Sequence, residues 1–328
     1  MRTRPPEWAN GPFGTLAKQK LPALALAPKF ARITIPWQLQ RERERERWWK
    51  RDLFCQGHVL TLSQRVAHLV CMQLSIFATT AAATAVALLA WKAYSLRRFC
   101  QTAFTSARKY STLGTFDGVT ITEVPGVGLA YTPSAFSYKC ALVYVPCALV
   151  EHAAYAPLCH AIARQSGCAV VLVQVPFRLA GMITASRRVS AAIRALPGVR
   201  RWFIGGHSMG GNFAASWLKA NQGTMQGIIF HGAFSTAVSG ESSLRYLSVQ
   251  AEHDGLFPHT KAESAFSKLP PGSLSRVLVR GGNHAGFGHY GPQIFPKADG
   301  ERTISLEKQQ ALVADATASW LAARSVHE

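Results

Sequence analysis

From residue 111 onward, short apolar runs alternate with segments of helical spacing, and this alternation narrows the possible folds more than anything else in the chain. Residues 140–145 (CALVYV), 168–175 (CAVVLVQV), 201–204 (RWFI), 227–230 (GIIF), 246–250 (YLSVQ) and 275–279 (SRVLV) read as strands, with 119–123 and 128–132 as two shorter ones. Residues 151–165, 185–196, 212–220, 261–269 and 305–324 carry helical spacing. Strands that are apolar on both faces need cover on both faces. The pattern therefore predicts an α/β fold, a mostly parallel sheet with helices on either side.

Composition bears this out only after the chain is divided. The net charge is +19, but residues 1–110 hold 18 Lys/Arg against 5 Asp/Glu and so carry +13 of it. The remainder, +6, leaves residues 111–328 only mildly basic, and a nucleic-acid partner is not expected. Seven cysteines without a CxxC pair argue against a disulfide framework and against a zinc ribbon. Cys140, Cys159 and Cys168 fall at core positions and read as inert thiols.

The N-terminal third has a different organisation. Residues 1–40 hold six prolines and one acid, Glu7. Proline at that density denies long helices and strands, so residues 1–68, including the RERERER run at 41–47, read as a disordered basic arm. Residues 69–91 contain no charged residue, and as a helix they span about 34 Å, enough for a bilayer core of roughly 30 Å. They are expected to form a single transmembrane helix, with Trp91 at the interface and Lys92, Arg97 and Arg98 as a basic flank. Met72 inside the run is a possible start. Residues 92–110 then read as a basic linker and 111–328 as the folded domain. The charges near the run slightly favour a cytoplasmic domain, with Arg41 to Arg47 pulling the other way.

The chemistry concentrates where RWFI runs into Gly205-Gly206-His207-Ser208-Met209-Gly210-Gly211 and a helix follows. A serine in a sharp strand-to-helix turn needs a strained backbone, and glycines two residues to either side remove the Cβ atoms that would clash. Such a turn lifts the Ser208 hydroxyl out at the carboxyl end of the sheet. The Met209 N–H then faces any negative charge that develops on a bound carbonyl. His207, beside the nucleophile, reads as a packing residue.

A nucleophilic serine needs a base, and the base needs an orienting acid. The strand at 246–250 ends in Ala251-Glu252-His253-Asp254-Gly255, and the strand at 275–279 ends in Arg280-Gly281-Gly282-Asn283-His284. His284 follows its strand directly and is preferred over His253 and His289. Asp254, at an Asp-Gly turn, is preferred over Glu252. The chain order Ser208, Asp254, His284 and the position at strand ends both suit a ligand at that edge of an open α/β sheet.

These motifs resemble the α/β-hydrolase superfamily, most closely its small lidless members related to dienelactone hydrolase. The similarity covers about residues 128–323 and rests on the GGHSMGG elbow, the Asp254-Gly255 turn and the block Gly281-Gly282-Asn283-His284 followed by Phe287-Gly288, Tyr290-Gly291 and Gln293. It implies a Ser208–His284–Asp254 triad. It also implies an oxyanion loop at Pro146-Cys147-Ala148, followed by the first helix around Ala154-Tyr155-Ala156-Pro157-Leu158. That loop usually carries two glycines where this chain has Cys147 and Ala148. No base is expected for Cys147, which reads as a small residue lending backbone geometry. Dienelactone hydrolase itself uses cysteine as nucleophile, whereas this chain has Ser208.

The expected activity is hydrolysis of a carboxylic ester, thioester or lactone through an acyl-enzyme on Ser208, with Met209, Cys147 and Ala148 at the oxyanion. The stretch 231–243 is short, so no large lid is expected and a small substrate is favoured. Two other readings stay open: an acyltransferase using the same intermediate, and a non-catalytic binding protein on a hydrolase scaffold. No metal or organic cofactor is expected, since HExxH, a P-loop and a post-strand GxGxxG are all missing.

Overall fold

The computed structural model describes residues 43–47, 61–97, 99–134, 138–178, 183–237 and 243–323. The arm expected over 1–68 lies outside them except for 43–47, which are helical and exposed, and 61–68. Residues 238–242 of the stretch weighed for a lid also lie outside. The chain divides into two compact units, Met1–Ala82 and Ala83–Glu328.

Helix α1 (Leu62–Arg97) is 36 residues long, longer at both ends than the expected span. Within Leu62–Leu88 an 18-residue stretch has a mean hydropathy of 1.7, and none of that stretch is buried. Phe77 and Trp91 are about 70% exposed. A core helix of a soluble domain would bury such side chains. Three of its hydroxyl side chains bond to its own backbone. Thr79 donates to the Ser75 carbonyl at 2.9 Å, Thr80 to Ile76 at 2.9 Å and Ser75 to Met72 at 2.8 Å. Internal satisfaction of that kind is what an apolar solvent requires.

The second unit is built on a nine-stranded sheet of order β1-β2-β3-β5-β4-β6-β7-β8-β9. Strands β1 (Gly114–Phe116), β2 (Val119–Val124) and β3 (Gly128–Pro133) form an antiparallel edge. Strands β5 (Ala169–Val173), β4 (Cys140–Val145), β6 (Arg201–His207), β7 (Gly227–His231), β8 (Arg245–Ala251) and β9 (Leu274–Val279) run parallel. β1 escaped the sequence reading because its three residues are all exposed. In β4, Cys140, Leu142 and Tyr144 face one core, with α2 (Ala156–Ser166) and α6 (Leu306–Ala322). Ala141, Val143 and Val145 face the other, with α3 (Ile183–Ala195), α4 (Met209–Ala220) and α5 (His259–Phe266). The double-sided cover expected from the apolar runs is thus present, and the fold is that of an α/β hydrolase.

Local differences have local causes. The first helix of the domain starts at Ala156 rather than at 151, because residues 152–155 form a 3-10 turn and Pro157 sits in the first helical turn, where its missing N–H costs nothing. Helix α4 starts at Met209, three residues earlier than its spacing suggests, since Gly210 and Gly211 are weak helix formers placed for close approach. The stretch read as linker joins the domain from residue 101. The Gln101 N–H donates to Leu149, the Ala103 N–H donates to the Glu151 carboxylate at 3.0 Å, Arg108 pairs with Glu151 at 2.9 Å, and Ala107 is fully buried.

Cys140 and Cys168 require a correction, because they are not free thiols. Strands β4 and β5 are parallel neighbours with Ala141 opposite Ala169, so the two cysteines one residue earlier share a face and form a disulfide. The bond closes a separation of 28 residues, and chain entropy alone gives such a loop roughly 3–4 kcal/mol. Cys140→Ser is expected to lower stability by about 2–4 kcal/mol, read as an earlier tryptophan-fluorescence unfolding transition in urea. An unchanged transition, with the wild type shown to be oxidised, would contradict the pairing.

Candidate active site

Ser208 stands between β6 and α4 with φ 55° and ψ −121°, a left-handed conformation that a β-substituted residue adopts only under constraint. Its N–H donates to the His231 carbonyl at 3.0 Å, and its own carbonyl accepts from Gly211 and Asn212 at 3.1 and 3.2 Å. The turn is pressed against the end of β4. A Cβ on Gly206 or Gly210 would strike the Val145 carbonyl oxygen, and on Gly210 the Pro146 oxygen as well. A Cβ on Gly211 would come within 2.6 Å of Ala233. These are the glycines the elbow motif called for, and the backbone they crowd leads directly into Cys147 and Ala148.

Of the N–H groups in that loop, that of Leu149 is committed, donating to the Arg178 carbonyl at 2.6 Å. Leu149 holds φ 63°, a second strained non-glycine residue beside the elbow. Met209, the first residue of α4, is half exposed.

Asp254 and His284 lie past the ends of β8 and β9, as expected. His284 Nδ1 donates to Asp254 Oδ2 at 2.8 Å and Oδ1 at 3.0 Å, both residues being buried. Asp254 Oδ1 also accepts the N–H groups of Leu256 and Phe257 at 2.9 and 2.8 Å, which fixes the carboxylate. Burial acts against a charge on His284, but the hydrogen bond and charge of Asp254, with the neighbouring Cys147 sulfur, outweigh it and raise its pKa to about 10. His284 Nε2 is buried and has no hydrogen-bond partner, and no bond joins it to Ser208 Oγ. Such contacts are often long before substrate binds.

The competing candidates have other work. His253 Nδ1 donates to the Glu301 carbonyl at 2.8 Å, and the Glu252 carboxylate accepts the Gly281 N–H at 2.7 Å. The His289 backbone is held by Ala154 and Phe104, and burial lowers the pKa of its ring. His207 Nδ1 bonds the Tyr155 hydroxyl at 2.8 Å, and its ring centroid lies 4.4 Å from that of His284. Burial, then the His284 and His231 rings, push the His207 pKa well down.

Cys147 is the point where the structure departs from the sequence reading. Its sulfur and one ring nitrogen from each of His207 and His284 lie within 4.8 Å of one another. A base is therefore next to Cys147 after all. The three residues are 60 and 77 positions apart in the chain, so only the folded sheet edge reveals the grouping.

A ring of supporting residues was also not apparent from the sequence. Asp299 ties the Asp254 and His284 turns together: Oδ1 accepts the Gly255 N–H at 2.9 Å and Oδ2 the Ala285 N–H at 2.8 Å. Gln309 on α6 clamps Asn283, accepting its N–H at 3.1 Å and donating to its carbonyl at 2.8 Å. Gln310 donates to the Gly286 carbonyl. The usable signal was a pair of glutamines on the mainly apolar inward face of a helix, which demands buried partners.

With this geometry established, comparison with known proteins fixes the family. No curated protein matches the chain. Among solved structures, a variant of the esterase rPPE overlaps it at 15% identity and TM-score 0.49, over 68% of this chain and 88% of that one. Carboxyl esterase 2 of the mycorrhizal fungus Tuber melanosporum does so at 16% and 0.48, over 68% and 89%. The hyperthermophilic esterase of the archaeon Pyrobaculum calidifontis gives 16% and 0.48, over 67% and 88%. The model of the alpha/beta hydrolase family matches residues 141–311. That is 171 of 328 residues, more than half, and the chain belongs to the alpha/beta hydrolase family.

Proposed function

We propose that the protein is a serine hydrolase acting on a small carboxylic ester, thioester or lactone through an acyl-enzyme on Ser208. The observation that carries the reading is Ser208 at φ 55°, a strained residue at the head of α4, with the buried His284–Asp254 pair past the ends of β8 and β9 on the same sheet edge. Strain of this kind persists where the surroundings over-determine it, and functional turns are where it collects.

In this mechanism Ser208 Oγ attacks the acyl carbonyl while His284 Nε2 takes its proton. Asp254 holds Nδ1–H in place, which fixes the tautomer and stabilises the imidazolium that forms. The same pull of Asp254 that raises the His284 pKa favours the imidazolium, so Ser208 is deprotonated only by the neutral fraction of His284. The oxyanion is met by the Met209 N–H and by an N–H of the Cys147–Ala148 loop, the Leu149 N–H being committed to Arg178. Each such donor is worth about 3–4 kcal/mol. His284 returns its proton to the leaving group, and water then repeats the sequence to release the acid.

We further propose that α1 anchors the domain in a membrane. Its 27-residue apolar section would span about 40 Å, more than the roughly 30 Å needed. The full chain should remain in the membrane pellet after alkaline carbonate extraction, and release into the supernatant would contradict the anchor.

The catalytic reading is tested with the detergent-solubilised full chain and a fluorophosphonate probe. Wild type should label, Ser208→Ala should not, and Asp254→Asn should slow ester turnover by roughly 10⁴-fold with the fold retained. A folded wild type that fails to label would instead favour a binding protein. The two replaced loop glycines and the missing Ser208–His284 hydrogen bond would then be its explanation.

A further inference from the structure

We propose that Cys147, His207 and His284 form a binding site for a borderline-soft divalent cation, Zn²⁺ above all, whose occupation shuts off the Ser208 chemistry. The inhibitory part rests on the serine-hydrolase reading; the binding part does not.

The donor set is one sulfur and two imidazoles, the combination that favours Zn²⁺ over the hard cations that prefer oxygen. All three side chains are buried, and their donor atoms lie within 4.8 Å of one another. Donors around one tetrahedral Zn²⁺ sit roughly 3.3–3.6 Å apart, from Zn–N of about 2.0 Å and Zn–S of about 2.3 Å. Side-chain movements of about 1 Å close that gap.

The independent observation concerns the imidazoles. In each ring Nδ1 is already engaged, to Asp254 in His284 at 2.8 Å and to the Tyr155 hydroxyl in His207 at 2.8 Å. In each ring Nε2 is buried without a hydrogen-bond partner. Buried polar atoms are rarely left so. A metal-binding histidine shows this same division of labour, with one nitrogen turned to a carboxylate or other outer partner and the other to the ion. A cation on both Nε2 atoms and the Cys147 sulfur would satisfy both orphaned nitrogens. On binding, the thiol gives its proton to solvent and the sulfur binds as thiolate. No electrons are transferred. The fourth position is left for water.

The consequence for activity follows from the lone pair. His284 Nε2 has one pair of electrons, and the proton from Ser208 and the metal compete for it. A chain with the glycine usual at position 147 would lack the sulfur and hold only the two imidazoles.

The test is direct titration of the full chain in detergent, starting metal-free, with Zn²⁺ against a chromogenic chelator. Wild type and Ser208→Ala should each bind one tight equivalent that Cys147→Ala loses. Its affinity should fall more than about 100-fold, and Tyr155→Phe, which removes only an outer partner, should cost roughly 10- to 100-fold. Co²⁺ substituted into wild type should show a thiolate-to-metal charge-transfer band, a readout that requires neither a variant nor turnover. Zn²⁺ should suppress fluorophosphonate labelling of wild type, EDTA should restore it, and labelling of Cys147→Ala should not respond. A Co²⁺ adduct without the sulfur band, no Zn²⁺ uptake, or equal affinity in Cys147→Ala would overturn the site. Metal binding in a wild type that never labels would preserve the site and remove the hydrolase reading.

Discussion

The contact on which the rest depends is the one between the elbow and the end of β4. Gly206 and Gly210 lie so near the Val145 carbonyl that no side chain fits at either position. This packing bends the chain at Ser208, starts α4 at Met209, and sets the elbow against Val145 and Pro146, which lead into Cys147 and Ala148. The backbone strain at Ser208 and Leu149 is offset by the surrounding sheet, whose β4, β5 and β7 strands are buried along their whole length.

A second layer holds the Asp254–His284 pair. Asp254 and His284 sit on separate turns, and their mutual hydrogen bond would tolerate drift were the turns not joined. Asp299 bridges them through two backbone N–H groups, of Gly255 and Ala285. Gln309 and Gln310 fasten the His284 loop to α6, whose apolar face closes one side of the sheet. Asp299 and Gln309 are paired at both of their polar atoms, and a well-paired buried set fixes one geometry.

Much of this was legible in the sequence because the signals were local. Continuous apolar runs gave the parallel strands, and doubled glycines about a serine gave the elbow. Asp254 and His284 were singled out because both follow strand ends, and the structure brings the two into hydrogen-bond contact. What stayed hidden was long-range. The Cys140–Cys168 pairing depends on the register of β4 against β5. The proximity of Cys147 to His284 depends on how tightly the glycine elbow draws the β4 loop inward. Asp299, Gln309 and Gln310 act from segments whose spacing marks only a loop and a helix. Antiparallel β1 was missed because an exposed three-residue edge leaves no apolar pattern.

Two nucleophilic atoms, Ser208 Oγ and Cys147 Sγ, stand on this sheet edge, and the account makes the first of them the acyl carrier. Peptide mapping by mass spectrometry after fluorophosphonate treatment of the full chain tests that choice most directly. The account requires the adduct on the tryptic peptide spanning residues 202–219, at Ser208. An adduct on the peptide spanning residues 140–164, at Cys147, would contradict it.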